Sequence, residues 1–584
     1  MARTNEEVAR LLDELATLTE LDEGDPNSFR VRAYQNAERA VKGLGEDVSG
    51  MSATELAKVK GIGKSIAAKI REYVEEGRIA KLDGLRDEHP KEKLKLLQVP
   101  GVGPKTVRLL ETELGITSLE ALSAGLEDGS VAGLEGLGEK TAENMRRGIE
   151  TLGLTSKDTR IPIATALPVA ERIVAALAEV DGVVDAAYAG SLRRFREDIG
   201  DVDILVATED AGVVHETFLA LDEVERTIGS GETKTSVITR DEVQVDLRVV
   251  PPESFGAALL YFTGSKAHNI RLRQRAIDRG WTLNEYALAV ADEDGHAGEV
   301  VARATEDEIY EALELAPMPP EVREDDGELE LAEAFDLPDL VRVEDLRGDL
   351  HDHTDRSGDG HDPLETLVDA AVARGLEYLA ITDHAEDLRI NGVSRETMLT
   401  QREELRSLEE RRGDIALLHG AELNIGPDGG LDYDEDFLAG FDWLVASVHS
   451  HFDRSVEEQT ARVIAAIRQP SVTAIGHLTG RLIGKRQGIA LDLEAVLDAA
   501  AETGTAIEIN AALQRLDASV EVIREGERRG CTFVISTDAH AAADLERARF
   551  GAAQARRARL ARDRVANTWP HQRFRDWIDA VRSA

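Results

Sequence analysis

One cysteine, Cys531, occurs in the 584 residues, so no disulfide can form within the chain, which fits a reducing compartment. Aromatic residues are few, at 4%. No apolar run reaches the roughly 20 residues of a membrane-spanning helix, because Asp and Glu interrupt each one first. The start, Met1-Ala2-Arg3-Thr4-Asn5-Glu6, lacks the apolar core of a secretory signal. These absences predict a soluble, cytoplasmic protein with no membrane partner. Positive charge is also short: 69 Lys and Arg face 112 Asp and Glu, for a net charge of −43. Polyanion binding rests on Lys and Arg neutralising phosphates, so this balance argues at first against a nucleic-acid partner.

What basic charge there is lies unevenly. Most of the lysines fall between Lys42 and Lys140. The excess of acid, the preference for Arg over Lys and the few aromatics also resemble proteins of salt-accumulating organisms. There an acidic surface is general and says little about one protein's ligand. The expectation is a halophilic, haloarchaeal chain.

The same N-terminal region holds a repeat. Val59-Lys60-Gly61-Ile62-Gly63, Val99-Pro100-Gly101-Val102-Gly103 and Leu134-Glu135-Gly136-Leu137-Gly138 share an apolar-x-Gly-apolar-Gly pattern, each before a helix-compatible run. Paired glycines permit a tight turn and bare the N–H groups of the next helix, an anion site with the helix dipole behind it. Three copies resemble helix-hairpin-helix elements, which grip the DNA backbone through positions such as Gly61, Gly63, Gly101, Gly103, Gly136 and Gly138 without reading base sequence.

Two carboxylates, Asp201 and Asp203, flank Val202 at the start of the apolar run Val202 to Val206. A strand there would place both on one face. Their repulsion calls for a divalent cation, and Gly190-Ser191 with Arg194 just upstream offers a phosphate cradle. In Val243 to Val249 the polar residues Gln244, Asp246 and Arg248 alternate with apolar ones, so a neighbouring strand would bring Asp246 to the pair. Three carboxylates suit two Mg²⁺ ions and nucleotidyl transfer.

Further on come Leu260-Tyr261-Phe262-Thr263-Gly264-Ser265, Asn269, Arg273 and Leu283-Asn284-Glu285-Tyr286. With these, residues 1 to 316 resemble the family X DNA polymerases, the group of DNA polymerase beta. The resemblance implies that Asp201, Asp203 and Asp246 are the catalytic acids, holding Mg²⁺ or Mn²⁺. It places Arg160, Gly190, Ser191 and Arg194 on the triphosphate and Tyr261 and Phe262 beside the incoming sugar, with Gly264 also at the nucleotide site. Asn269 and Arg273 would meet the nascent pair and the template. Lys266 departs from the acidic residue often seen there. Lys69 matches the lysine that forms a Schiff base with an abasic sugar, near Tyr34; Ser65 stands where a second lysine is common.

The last third sets His and acid after successive apolar strands: His351-Asp352-His353, Asp359, Thr382-Asp383-His384, Gly420-Ala421-Glu422, His449-Ser450-His451, Gly476-His477 and Asp538-Ala539-His540. In a β/α barrel these would converge on one face. Such donors suit Zn²⁺, Mn²⁺ or Fe and the activation of water against a phosphodiester. This part resembles the PHP (polymerase and histidinol phosphatase) domain. The resemblance implies two or three ions held by His351, His353, Asp359, His384, Glu422, His449, His477, Asp538 and His540, with His449 a better match than His451. Arg481 is a further candidate phosphate contact.

The expected fold is multidomain: an all-α helix-hairpin-helix N-terminal region, an α+β nucleotidyltransferase palm with a small thumb, and a C-terminal α/β distorted (β/α) barrel of PHP type. The expected boundaries are 1–90 (lyase-like), 91–150 (second helix-hairpin-helix region), 151–250 (palm), 251–316 (thumb), 317–345 (acidic linker after Pro317-Met318-Pro319-Pro320) and 346–584 (PHP domain). The expected function is a gap-filling repair DNA polymerase with 3′→5′ exonuclease, and with 3′-phosphatase or abasic endonuclease as further activities of the barrel. Its partners would be gapped or nicked DNA and dNTPs, and it would act as a monomer. Two alternatives stand beside this: a nucleotidyltransferase on RNA or a small molecule, and a DNA-end scaffold with inactive sites.

Overall fold

The computed structural model describes residues 5–583 except 24–27, 43–47, 89–95, 97–98, 100–101, 128, 135–136, 139–140, 143–144, 146–159, 232, 293–295 and 389–390. The chain divides into two compact units, Met1–Thr159 and Arg160–Ala584.

The first unit is helical among its described residues. Helices Asn5–Glu23, Phe29–Lys42 and Lys64–Glu76 enclose a core that includes Leu12, Leu15, Val31, Ile66 and Ile70. A second core gathers around Val107, Leu110, Leu122 and Leu126 from helices Pro104–Leu114 and Leu119–Glu127. The three glycine repeats share one local structure. Ile62, Val102 and Leu137 each donate their N–H to the carbonyl three residues earlier, at 3.0, 2.9 and 3.0 Å. Gly63 and Gly103 then cap the helices that follow, with no side chain closing either N-terminus. At Gly138 the same bonds recur from Thr141 and Ala142, at 2.9 and 3.0 Å. Gly61 takes φ +102°, and a Cβ there would lie 3.0 Å from the Asn36 carbonyl, so this turn needs a glycine. Gly101 and Gly136 lie outside the described residues.

The second unit opens with a short antiparallel ladder of β1 (Ile161–Pro162) and β3 (Asp198–Ile199). Beside it a five-stranded sheet runs in the order β2 (Asp185–Tyr188), β4 (Val202–Ala207), β7 (Gln244–Val250), β6 (Lys234–Thr239), β5 (Val224–Ser230). Only the β4–β7 pair is parallel. Val202, Ile204 and Val206 pack with helix Ile163–Ala178, whereas Leu205 and Ala207 pack with Phe255 and Ala258 of helix Phe255–Thr263. Strand alternation therefore puts Asp203 on the face turned away from the main palm core. A helix, Lys266–Asp278, and the antiparallel strands β8 (Trp281–Leu283), β9 (Leu288–Ala291) and β10 (Ala297–Ala302) follow.

The run expected as an acidic linker is packed structure instead. It forms a turn of helix at Pro320–Val322 and a helix at Glu328–Ala334. Glu321, Arg323 and Glu328 are buried, because each acid has a partner. Arg323 meets Glu306 at 2.5 Å, Glu328 meets His268 at 2.7 Å, and Glu321 meets Arg556 of the barrel at 2.5 Å. Charge composition suggested solvation, but pairing overrides it.

Seven parallel strands then run in sequential order: β11 (Gly348–Asp352), β12 (Tyr378–Ile381), β13 (Ala416–Asn424), β14 (Trp443–Ser447), β15 (Ala474–Ile475), β16 (Ala506–Asn510) and β17 (Phe533–Ser536). A parallel bridge between Asp352 and Ala539 brings the last strand back to the first, so the sheet is a nearly closed barrel. This barrel and the palm share a core: Leu516, Phe550 and Ala553 join the palm cluster, and Phe550 stacks on Phe195 at 6.0 Å.

Candidate active sites

The first site sits on the face of the palm sheet turned away from the main palm core. Asp203 on β4 and Asp246 on β7 are direct register partners, and Asp201 immediately precedes β4. Their mutual charge is visible in their acidity. Burial, then the charges of Asp201 and Asp246, push Asp203 up to about 7. Burial and Asp246 also raise Asp201. Burial would raise Asp246 too, but hydrogen bonds from Lys234 and Ser236 hold it below its ordinary value, and Lys234 Nζ lies 2.6 Å from its Oδ2. Three carboxylates converging in a partly desolvated site fit divalent cations, which favour oxygen donors.

Gly190 explains the sharp turn beside them. It takes φ +63°, and a Cβ there would meet Asp203 Oδ2 at 2.6 Å. Ser191 lies in the same short turn of helix, Gly190–Arg193. Arg194 is engaged, with Glu324 at 3.0 Å and the Thr263 carbonyl at 2.6 Å, while Arg160 is exposed and near Asp198 at 3.6 Å. Tyr261 and Phe262 meet edge to face at 5.0 Å, and Arg248 covers the Phe262 ring at 4.4 Å. Asn269 donates to the Tyr261 carbonyl at 2.7 Å, and Arg273 lines the same small cavity as Tyr261 and Asn269. Gly264, at φ +71°, lies against the Arg194 guanidinium. In the first unit, Lys69 is half-buried and donates to Ser65 Oγ at 3.1 Å, and Tyr34 is buried.

The second site forms at the C-terminal ends of the barrel strands, and all nine predicted residues meet there. Three overlapping groups each bring donor atoms within 4.8 Å: His353, Asp359, His384 and His540; His351, His353 and Asp538; His384, Glu422 and His449. His477 joins through Glu422 at 2.8 Å. His449 reaches Glu422 at 3.0 Å, whereas His451 is exposed and turns to Ser450, so His449 is the inward residue. The buried Nε2 atoms of His351 and His353 have no hydrogen-bond partner. They stand 3.5 to 3.9 Å from oxygens of Glu422 and Asp538. Donors about 2.0–2.3 Å from one ion stand roughly 3–4 Å apart, so the cluster fits metal ions of the Zn²⁺ or Mn²⁺ kind. Burial alone would lower His384, but Glu422 and Asp359 hold it up at about 10, whereas burial and the neighbouring imidazoles press His353 down to about 3. His477 and Asp538 take positive φ, 24° and 52°, a strain found at functional sites.

An outer ring of residues escaped the motif reading. Glu508 accepts from His351 Nδ1 and the His477 N–H, both at 2.6 Å. Asn424 meets His449 Nδ1 at 2.7 Å, Asn510 donates to Asp538 at 3.1 Å, and Arg515 lies 3.6 Å from Asp538. Such partners orient metal ligands. The alternation in Ala506-Ile507-Glu508-Ile509-Asn510 carried a signal for two of them. Arg481, a candidate phosphate contact, instead pairs with Glu197 of the palm at 2.8 and 3.0 Å.

Comparison with known proteins matches these parts one by one. Residues 3–79 match the helix-hairpin-helix domain, 93–151 the SAM-like helix-hairpin-helix tandem, and 160–244 the DNA polymerase beta palm. Residues 258–324 match the DNA polymerase beta thumb and 349–512 the PHP domain. The DNA polymerase/3′-5′ exonuclease PolX of Bacillus subtilis is 36% identical over 555 residues, which cover 94% of this chain and 95% of that protein. The chain belongs to the PolX family. DNA polymerase lambda of Rattus norvegicus is 28% identical over 51% of the chain and 53% of its own length. A protein named probable phosphatase from Acetivibrio thermocellus is 32% identical over 34% of the chain and 81% of its own length. PolX architecture thus joins a polymerase beta-like core to a PHP barrel, and the thumb match reaches past residue 316 into the run expected as a linker. No helix among the described residues is long and apolar enough to cross a membrane.

Proposed function

We infer that this PolX chain is a DNA polymerase that fills short gaps, and that its barrel removes nucleotides from 3′ ends. The observation that carries the reading is the coexistence, in one chain, of the Asp201–Asp203–Asp246 triad and the complete nine-residue His and acid cluster. Divalent ions, when bound, supply activation of the attacking hydroxyl or water and neutralisation of phosphate charge at both sites. The triad suits Mg²⁺ or Mn²⁺, and the imidazole-rich cluster suits two or three of Mn²⁺, Zn²⁺ or Fe.

The chain's own residues do the rest. Lys234 keeps Asp246 ionised and placed. Tyr261 and Phe262 wall the sugar position, which disfavours a 2′-hydroxyl, while Asn269 and Arg273 face the base pair and template. The bare helix N-termini after Gly63 and Gly103 hold DNA backbone phosphates. At the barrel, Glu508 and Asn424 fix the tautomers of His351 and His449 so that their Nε2 atoms face inward. Clearing of a 3′-phosphate and incision at an abasic site are the further hydrolyses this cluster supports. Lys69 acts as the abasic-sugar lyase nucleophile, which borohydride trapping on a 5′-deoxyribose phosphate checks against Lys69→Ala.

The deciding experiment separates the sites. On a gapped duplex, Asp203→Asn abolishes primer extension and leaves 3′ degradation, while His351→Ala does the reverse. Extension by Asp203→Asn at the parent rate would overturn the polymerase assignment, and undiminished degradation by His351→Ala the nuclease one.

A further inference from the structure

Lysine is rare in the second unit. From residue 160 to 584 there are three: Lys234, Lys266 and Lys485. The first pairs with Asp246, and the second opens the helix after the Gly264-Ser265 turn, so both belong to the polymerase part. The third lies in the barrel, in the loop that leaves the ligand His477. That stretch, His477 to Leu491, holds three cations, Arg481, Lys485 and Arg486, and no acid, in a chain where acids outnumber cations 112 to 69.

The loop is well tied. Arg486 donates twice to the Gly480 carbonyl, at 3.1 and 2.7 Å, and lies over the Phe452 ring at 4.1 Å. Ile483 donates to the Gln514 carbonyl at 2.8 Å, and Arg481 to the Arg515 carbonyl at 2.9 Å. At one end, Arg515 sits 3.6 Å from the ligand Asp538. At the other, the loop rests on the palm: Ile483 packs on the palm core, Arg481 pairs with Glu197, and Gly484 lies against Pro162, two residues from Arg160. Lys485 and Arg486 are exposed, and among the described residues no carboxylate forms an ion pair with either. Partial burial and the like charge of Arg515 hold Arg486 below the usual guanidinium range. Exposed cations without acidic partners among the described residues, as Lys485 and Arg486 are, suit an anion from outside.

We propose that this loop, with Arg515 at its inner end, is the path by which a single DNA strand passes from the palm to the nuclease centre, Lys485 and Arg486 gripping its phosphodiester backbone. The path rests on the nuclease reading given above. Because the loop is anchored to both parts, the strand moves along a fixed track.

The test uses the full-length, metal-loaded chain, its Lys485→Glu variant and, separately, Arg486→Gln, which keeps a donor for the Gly480 carbonyl. Each is assayed on a single-stranded oligonucleotide across a salt series and on bis(p-nitrophenyl) phosphate, a diester too short to follow the track. The expected result is a KM for the oligonucleotide raised about three- to tenfold, with its log–log salt slope lowered by about 0.7 per cation removed. Hydrolysis of the small diester is retained. Oligonucleotide KM and slope equal to the parent's, with both substrates cleaved, would overturn the path and leave the nuclease reading standing. A parent chain that cleaves neither substrate overturns both. Equal loss on the two substrates overturns the path as well, by assigning the loop to the support of His477.

Discussion

Gly190 and Asp203 are tied together by a single distance, 2.6 Å from a would-be Cβ to the carboxylate oxygen. Gly190→Ala therefore displaces an acid whose placement sets the reaction geometry. Misplacements of about 1 Å cost around a hundredfold, so primer extension should fall by at least about that factor while 3′ degradation is unchanged; parallel assays on one preparation check it. Glu508 plays a comparable part at the barrel, since its two oxygens hold the His351 ring and the His477 backbone. Glu508→Gln should weaken metal binding by about 10–100-fold, seen as a rightward shift in a metal titration of nuclease activity, with extension unaffected. Asp201 and Asp203 were readable from strand alternation, and the inward set of the barrel from the resemblance to the PHP domain. Lys234 was not, because nothing local marks a lysine that meets Asp246 across a strand pair.

Among elements, the segment from Glu306 to Ala334 shows how pairing decides structure. Glu306 receives Arg193 of the palm at 2.7 and 2.9 Å and Arg323 at 2.5 Å. Burial would raise its carboxyl, but Arg323 and Arg193 hold it down at about 2. A depressed carboxylate lends stability that is full above its unfolded value and lost as pH falls through the folded one. The junction should thus loosen between about pH 4.5 and pH 2, a term on the order of 3 kcal/mol. Acid unfolding followed for the parent and for Glu306→Gln checks this: the variant should begin less stable at neutral pH and lose less over that window. Composition read residues 317–345 as a solvated linker because a list of charges does not say which ones meet. The glycine repeats were the opposite case, since each turn is closed by bonds three and four residues long.

For the whole molecule, a net charge of −43 makes self-repulsion a general term against the compact state. Salt screens it, with a Debye length of about 10 Å at 0.1 M and 3 Å at 1 M. The melting temperature should rise from 0.1 M to 2 M KCl, measured by calorimetry. The same salt weakens phosphate contacts, so activity on DNA should pass through a maximum rather than follow stability. By itself the sequence determined the parts: three glycine turns from their spacing, a triad from strand alternation, and His and acid recurring after apolar strands, from which the resemblance to the PHP domain singled out the nine donors. Those signals are short-range, set by backbone geometry within a few residues. Only the tertiary structure decided that the acidic run is packed and that Glu508 stands behind His351. It also decided that Arg481 leaves the phosphate for Glu197, and that the loop after His477 rests on the palm. Each of those depends on partners tens to hundreds of residues apart, brought together by packing within the barrel for Glu508 and His351 and by packing of palm against barrel for Arg481 and Glu197, and not by any local pattern.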